Sequence, residues 1–292
     1  MNSFQSYLMV TCQNRLKDMQ KMHEFMRTSL GCLASVCFCL ASGAHAAAPS
    51  APPIRIMAAS DLKFALAHIL KNYEQDTGQR VEVTYGSSGN MARQLLQGLP
   101  ADLFMSADEA LVAALAKAGK TRSIRKGRAV VADSGVLYAQ GRLAVVLPAN
   151  SALPLDADLT ALRHAWPAQG KFAIANPEHA PYGRAAQQVL QSLGLWTQVQ
   201  PHLVLGENIA QSTQFVVTGS ATMGISALAL VQAPELAGRL RYLPLPAQLH
   251  GPLLQRMVLM KSASAAAVAL YAYLQQPPAR AVLLQHGFQA PP

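Results

Sequence analysis

The chain has 292 residues, 51% hydrophobic and 13% charged, with a formal net charge of +9. At roughly 150 residues per domain this length allows one large domain or two lobes, and the apolar content excludes a disordered chain. The longest apolar stretch, Leu30 to Ala41, falls short of the about 20 residues that span a bilayer, which argues against a membrane anchor.

The first 46 residues read as an export signal. Arg15, Lys17, Lys21 and Arg27 precede the apolar run, and the small-residue pattern Ala44-His45-Ala46 follows it. Initiation at Met22 or Met26 would give a leader of more ordinary length. The mature protein is expected to begin near Ala47 and to reside in the periplasm. All four cysteines (Cys12, Cys32, Cys37, Cys39) fall in this leader. The mature chain therefore has no disulfide framework, zinc–thiolate site or cysteine nucleophile. It keeps 20 basic against 13 acidic side chains, a net +7. With no Lys/Arg run and no basic–aromatic stripe, nucleic acid is not expected as a partner. The tightest cluster, Arg122, Arg125, Lys126 and Arg128, reads as a solvated loop.

Past the proline-containing segment 49–53, short apolar runs alternate with longer amphipathic ones. Ile54–Ala59 reads as a buried strand, and Phe64 to Tyr73 as a helix that stops at Thr77-Gly78. Val81–Tyr85 alternates as a strand, Met91–Leu96 gives a helix, Ala101–Met105 a strand and Glu109–Ala118 a helix. That βαβαβα order predicts a parallel sheet flanked by helices. A second series follows, with strands at 143–147, 171–175, 203–205, 223–225 and 253–260 and helices at 185–193 and 210–217. Two helices split by Pro277-Pro278 close the chain.

In open α/β sheets, ligands bind beyond the carboxyl ends of strands, where helices begin. The junction residues here are Ser60-Asp61, Gly86-Ser87-Ser88-Gly89-Asn90, Pro181-Tyr182-Gly183 and Glu207-Asn208-Ile209. Serines and glycines at helix N-termini suit an anion, because first-turn N–H groups lack intrahelical partners and the helix dipole is positive there. The plainer reading is that Ser60, Ser88 and Asn208 are only helix caps.

Catalytic motifs fail on inspection. Gly119-Lys120-Thr121 ends like a phosphate-binding loop, but Ala114 stands where the upstream glycine is needed. Asn90 replaces the last glycine of a nucleophile elbow after Gly86-x-Ser88. The mature histidines (His68, His164, His179, His202, His250, His286) lack metal-ligand spacing, so each reads as a surface or packing residue. Asp102, Asp108 and Glu109 could pair as acid and base, although a strand end and a helix start use carboxylates structurally as well.

Six stretches carry a resemblance to a known family: AASDL (58–62), TYGSSGNMARQL (84–95), GLPADLFMSADE (98–109), ANPEHAPYGRAAQQVLQSLGLW (175–196), GENIAQSTQFVVTG (206–219) and YLQQPPARAVLLQHGF (273–288). In this order they resemble the periplasmic molybdate-binding proteins of ABC transporters. The resemblance implies an α/β, type II periplasmic binding protein fold. Each of its two lobes would be a mostly parallel sheet flanked by helices, with two crossovers between lobes. It places lobe I at 49–138 and 251–292 and lobe II at 139–250.

It also implies a non-enzymatic receptor that binds molybdate or tungstate as the oxyanion, needs no cofactor, and delivers to an ABC transporter permease in the inner membrane. The receptor is expected to act as a monomer. The residues that correspond to the family's ligand contacts are Ser60, Asp61, Ser88, Tyr182 and Ile209, with no separate metal site. Ala227 stands where many members have a tyrosine. Asp61 is a departure, since a carboxylate facing an oxyanion repels it. Either its side chain turns away to cap the helix while its N–H donates, or the protein prefers another ligand. The alternatives are a receptor for sulfate, phosphate or an organic acid, or an exported hydrolase or transferase that uses the cleft.

Overall fold

The computed structural model describes residues 52–127, 129–156, 159–163 and 170–292. The leader at 1–46 with its cysteines, Arg128 and His164 lie outside the described residues. The first strand, β1 (Ile54–Ala59), has five of its six residues buried, as an uninterrupted apolar run should when both faces of a sheet are covered. After a single 3-10 turn at Ser60–Leu62 comes α1 (Lys63–Thr77), whose buried face is Ala65, Leu66, Ile69, Leu70 and Tyr73. That spacing is the stripe of an amphipathic helix. Gly78, at φ +69°, ends α1 in the left-handed conformation that glycine adopts without strain.

The first series continues with β2 (Val81–Gly86), α2 (Ser88–Leu96), β3 (Leu103–Ser106) and α3 (Glu109–Lys117). Next, β4 (Ser123–Lys126) and β5 (Ala129–Ala132) pair as an exposed antiparallel hairpin. Of the basic segment read as a loop, Arg125 and Lys126 lie in this ribbon, turned to solvent. Strand β6 (Val136–Gly141), unpredicted from the sequence, precedes β7 (Leu143–Pro148).

Further along lie β8 (Phe172–Ala175), α4 (Pro181–Ser192), β9 (Leu203–Gly206), α5 (Ile209–Val217), β10 (Met223–Ala227) and β11 (Leu240–Pro244). The chain closes with β12 (Leu253–Leu259), α6 (Ala265–Tyr273) and α7 (Pro277–Gln285). The proline pair does not merely separate α6 from α7. It starts α7, where a missing N–H costs nothing.

The strands form two five-stranded sheets, ordered β2-β1-β3-β12-β6 and β11-β7-β10-β8-β9. In the first, β2, β1 and β3 are parallel and β12 runs against both β3 and β6. Read from its other edge, the second repeats this scheme. Strands β9, β8 and β10 are parallel, and β7 runs against both β10 and β11. Each sheet is therefore mixed, with four strands in one direction and one reversed. The chain passes from the first sheet to the second at Arg142 and returns between Pro244 and Leu253.

Side chains alternate across each sheet. Ile56, Ala58, Leu103, Met105, Met257 and Leu259 pack toward α1, α6 and α7, whereas Met57, Phe104 and Val258 pack toward α2 and α3. In the second sheet, Leu143, Val145, Phe172 and Ile174 pack with α4, and Ala144, Val146 and Ala173 with Val216 of α5. Ala59 and Ala107, at the ends of first-sheet strands, join the second sheet's core. Among the described residues no helix is long and apolar enough to cross a membrane.

Candidate oxyanion site

The parallel strands of the two sheets aim their carboxyl ends at a common cleft, and the loops there meet. Ser60, Asp61, Ser88, Tyr182 and Ile209 all line one small pocket of about 10 Å³, together with Gly86, Ser87, Ala107 and Asn208. Ala227, at the end of β10, does not line it.

The elements explain the placement. Ser60 and Asp61 form the turn that β1 makes on leaving its sheet, and Ser88 is the first residue of α2. Tyr182 and Ile209 stand in the first turns of α4 and α5. The first-turn N–H groups of α2, α4 and α5 therefore border one small volume and turn the positive ends of their dipoles to it, with no basic side chain in its lining.

The cap reading holds for Asn208, whose side chain accepts from Gln211 N–H at 3.1 Å. It fails for the serines. Ser88 Oγ accepts from Ala107 N–H at 3.0 Å, on the adjacent strand's loop. Ser60 Oγ accepts from Ala210 N–H of α5 at 3.3 Å, across the cleft. Other bonds also cross it. Gly89 N–H donates to the His179 carbonyl at 3.1 Å, as does Ser87 Oγ–H at 2.8 Å. Asn90 pairs with Glu207, and Arg184 meets Asp108 at 2.6 Å. These bonds join the two sides of the cleft beside the pocket.

Asp61 does not turn away to cap a helix; no side-chain cap bond forms at this turn. Its carboxyl points into a buried polar network between the sheets. Oδ2 accepts from the Tyr182 hydroxyl at 2.9 Å and from Gln255 Nε2 at 2.6 Å, and Gln255 Oε1 accepts from Tyr138 at 2.7 Å. Oδ1 has no partner among the described residues, although Asp61 is only 1% exposed. Burial pushes the Asp61 carboxyl up to about 6, against the opposing hydrogen bonds from Gln255 and Tyr182 and the nearby amides of Asp61 and Leu62. Tyr182 and Tyr138 are held well above the usual phenol range, first by burial and then by the Asp61 charge.

Gln255 and Tyr138 are absent from the sequence-based expectations. The signal for Gln255 is its place in Leu253-x-Gln255-x-Met257, where a polar side chain occupies the buried register of an alternating strand. Gly141 supplies the space for the network, since a Cβ there would sit 2.3 Å from the Tyr182 hydroxyl.

The carboxylates considered as an acid–base set are otherwise engaged. Asp102 accepts from the backbone of Arg55 and Ser264, Asp108 caps α3 through Ala110 N–H and pairs with Arg184, and Glu109 pairs with Arg256. Among the described residues no group of three His, Cys, Asp or Glu side chains could hold a metal ion.

The sequence profile of the family described as "Bacterial extracellular solute-binding protein" matches residues 54–289. The chain belongs to the bacterial extracellular solute-binding proteins. Within that family, this solute-binding protein is 33% identical over 259 residues to the molybdate-binding protein ModA of Azotobacter vinelandii, covering 88% of this chain and 97% of that one. It is 34% identical over 221 residues to ModA of Rhodobacter capsulatus, covering 74% and 80% of the two chains. The solved periplasmic molybdate-binding protein of Azotobacter vinelandii superimposes with a TM-score of 0.72 at 28% identity, covering 82% of this chain and all of that one.

Proposed function

We propose that this solute-binding protein captures molybdate or tungstate as a tetrahedral dianion in the cavity between its lobes and presents it to an ABC transporter permease. The observation that carries the reading is the convergence of Ser60, Asp61, Ser88, Tyr182 and Ile209, from strand ends of both sheets, around one small pocket with no basic side chain in its lining. Hydroxyl and amide donors fixed at helix N-termini can replace an anion's hydration shell without chemistry on the ligand. The names of the relatives in Azotobacter and Rhodobacter support molybdate as the ligand.

On this reading lobe I comprises 49–138 and 251–292 and lobe II 139–250. They swing about the two crossing segments, and the bonds across the cleft hold the closed state. The protein works as an exported monomer, without turnover and without a cofactor. Size selects against sulfate, because donors set for longer metal–oxygen bonds leave the smaller ion's contacts stretched.

Calorimetric titration of the purified protein with molybdate, tungstate, sulfate and phosphate tests the reading. One-to-one binding of molybdate and tungstate, with sulfate at least tenfold weaker, is the expected result. Sulfate or phosphate binding as tightly as molybdate overturns it, as does turnover of a generic ester.

A further inference from the structure

We propose that the cavity takes up its anion together with one proton, carried on Oδ1 of Asp61, so that this carboxyl serves as a hydrogen-bond donor to the ligand. The inference deepens the molybdate reading and rests on it.

The two carboxyl oxygens of Asp61 are not equivalent. Oδ2 receives two donors, the Tyr182 hydroxyl at 2.9 Å and Gln255 Nε2 at 2.6 Å. The Gln255 amide is held in that orientation because its Oε1 accepts from Tyr138 at 2.7 Å. A proton on Oδ2 would displace one of these donors. Oδ1 has no partner at hydrogen-bonding geometry among the described residues, with only the Asp61 and Leu62 amides near the carboxyl, and it belongs to a buried residue that lines the cavity. A buried acceptor without a donor is costly, and a fully deprotonated oxyanion has no proton to offer it. A proton on Oδ1 removes both difficulties, because the resulting O–H donates to the anion and the repulsion between two negative groups disappears. Protonated Asp61 then presents the pattern of an asparagine amide, with one oxygen accepting from Tyr182 and Gln255 and the other end donating.

The surroundings favour this state. Facing Asp61 are Tyr182 from α4, Tyr138 from β6 and the neutral Gln255 from β12, and both phenols stay protonated because burial and the Asp61 charge hold them well above the usual range. No Lys or Arg lies among the residues that line the cavity. Burial already pushes Asp61 up to about 6, and a dianion alongside acts in the same direction. The other titratable side chains at the cleft are engaged away from Asp61: His179 meets Ser87 at 2.9 Å and Glu207 at 3.4 Å, and Asp108 meets Arg184 at 2.6 Å.

The test is calorimetric titration with molybdate between pH 6.5 and 8, in pairs of buffers that differ in ionisation enthalpy, on the wild-type and Asp61→Asn proteins. At pH 8 the wild type should take up about one proton per anion, and its Kd should rise by up to about tenfold per pH unit. Asp61→Asn should take up none, show a flat profile and bind at least tenfold more tightly than the wild type at pH 8. His179 is intact in the variant, so it cannot be the source of an uptake that the variant loses. Wild-type binding without proton uptake overturns the inference and leaves the molybdate reading standing. Proton uptake that persists in Asp61→Asn also overturns it. Binding of hydrogen phosphate but not molybdate by the wild type would mean the ligand brings the proton itself, and that overturns both. Failure of both proteins to bind molybdate or tungstate overturns the functional reading and this inference with it.

Discussion

Gly89 and His179 meet across the cleft, where the Gly89 N–H donates to the His179 carbonyl at 3.1 Å. A Cβ at position 89 would stand 2.3 Å from that same oxygen. The contact is possible only because residue 89 has no side chain, and the Ser87 hydroxyl reinforces it by donating to the same carbonyl.

Gly89→Ala is therefore expected to block closure while leaving each lobe folded, since residue 89 sits in the first turn of a helix where alanine is well tolerated. Molybdate affinity should fall by about tenfold or more, the equivalent of roughly one lost hydrogen bond with its clash. Calorimetry would give the affinity, and small-angle scattering should show a wider molecule in the presence of ligand than the wild type gives.

The raised Asp61 carboxyl makes ligand-free stability depend on pH. Its ordinary value of 3.8 in the unfolded chain becomes about 6 in the folded one, so folding favours the protonated form. The stabilisation is complete below about pH 4 and is lost as pH rises through 6, with about 3 kcal/mol at stake. Asp61→Asn should raise the ligand-free Tm at pH 7.5 by roughly 5–10 °C. The difference from wild type should shrink toward zero near pH 4. Thermal unfolding at the two pH values checks this, and an unchanged difference would refute it.

Tyr182→Phe removes one of the two donors to Oδ2 of a buried carboxyl. Such a loss costs about 1–3 kcal/mol. It should be larger at pH 7.5 than at pH 4.5, because hydrogen bonds to the charged form are the stronger ones. Chemical denaturation at both pH values distinguishes this from a loss of packing alone, which would be equal at the two.

Gly141→Ala would drive a methyl group to 2.3 Å from the Tyr182 hydroxyl and 3.0 Å from Gln255 Nε2. Neither group can retreat without leaving Asp61. Overpacking of this sort costs about 1–3 kcal/mol, and here it should also weaken anion binding, measured by the same titration.

The sequence carried the fold well because its parallel strands are nearly continuous apolar runs and its helices keep a clean stripe, as at Ile54–Ala59 and Lys63–Thr77. The edge strands β6 and β11 were harder to read, because their burial is mixed and Pro244 ends one of them. The basic hairpin was also missed, for a physical reason: it is solvated on nearly all its residues, so no periodic pattern marks it.

The residues that line the pocket were legible because the loops that meet at the cleft in this architecture follow strand ends, a rule that needs no knowledge of tertiary contacts. Gln255 was not, since its bond to Asp61 spans 194 positions and it lies in mid-strand. Only its polar character in a buried register could have given it away.

The position of β12 between β3 and β6 has a consequence for how the polypeptide matures. The sheet that starts at Ile54 stays one strand short, with β6 made but left without its neighbour, until residue 259 has been made. All five strands of its counterpart, by contrast, are contained within 143–244. As the chain emerges from its amino end, the middle of the sequence can finish folding before its beginning does. The amino-terminal half has to wait for the tail.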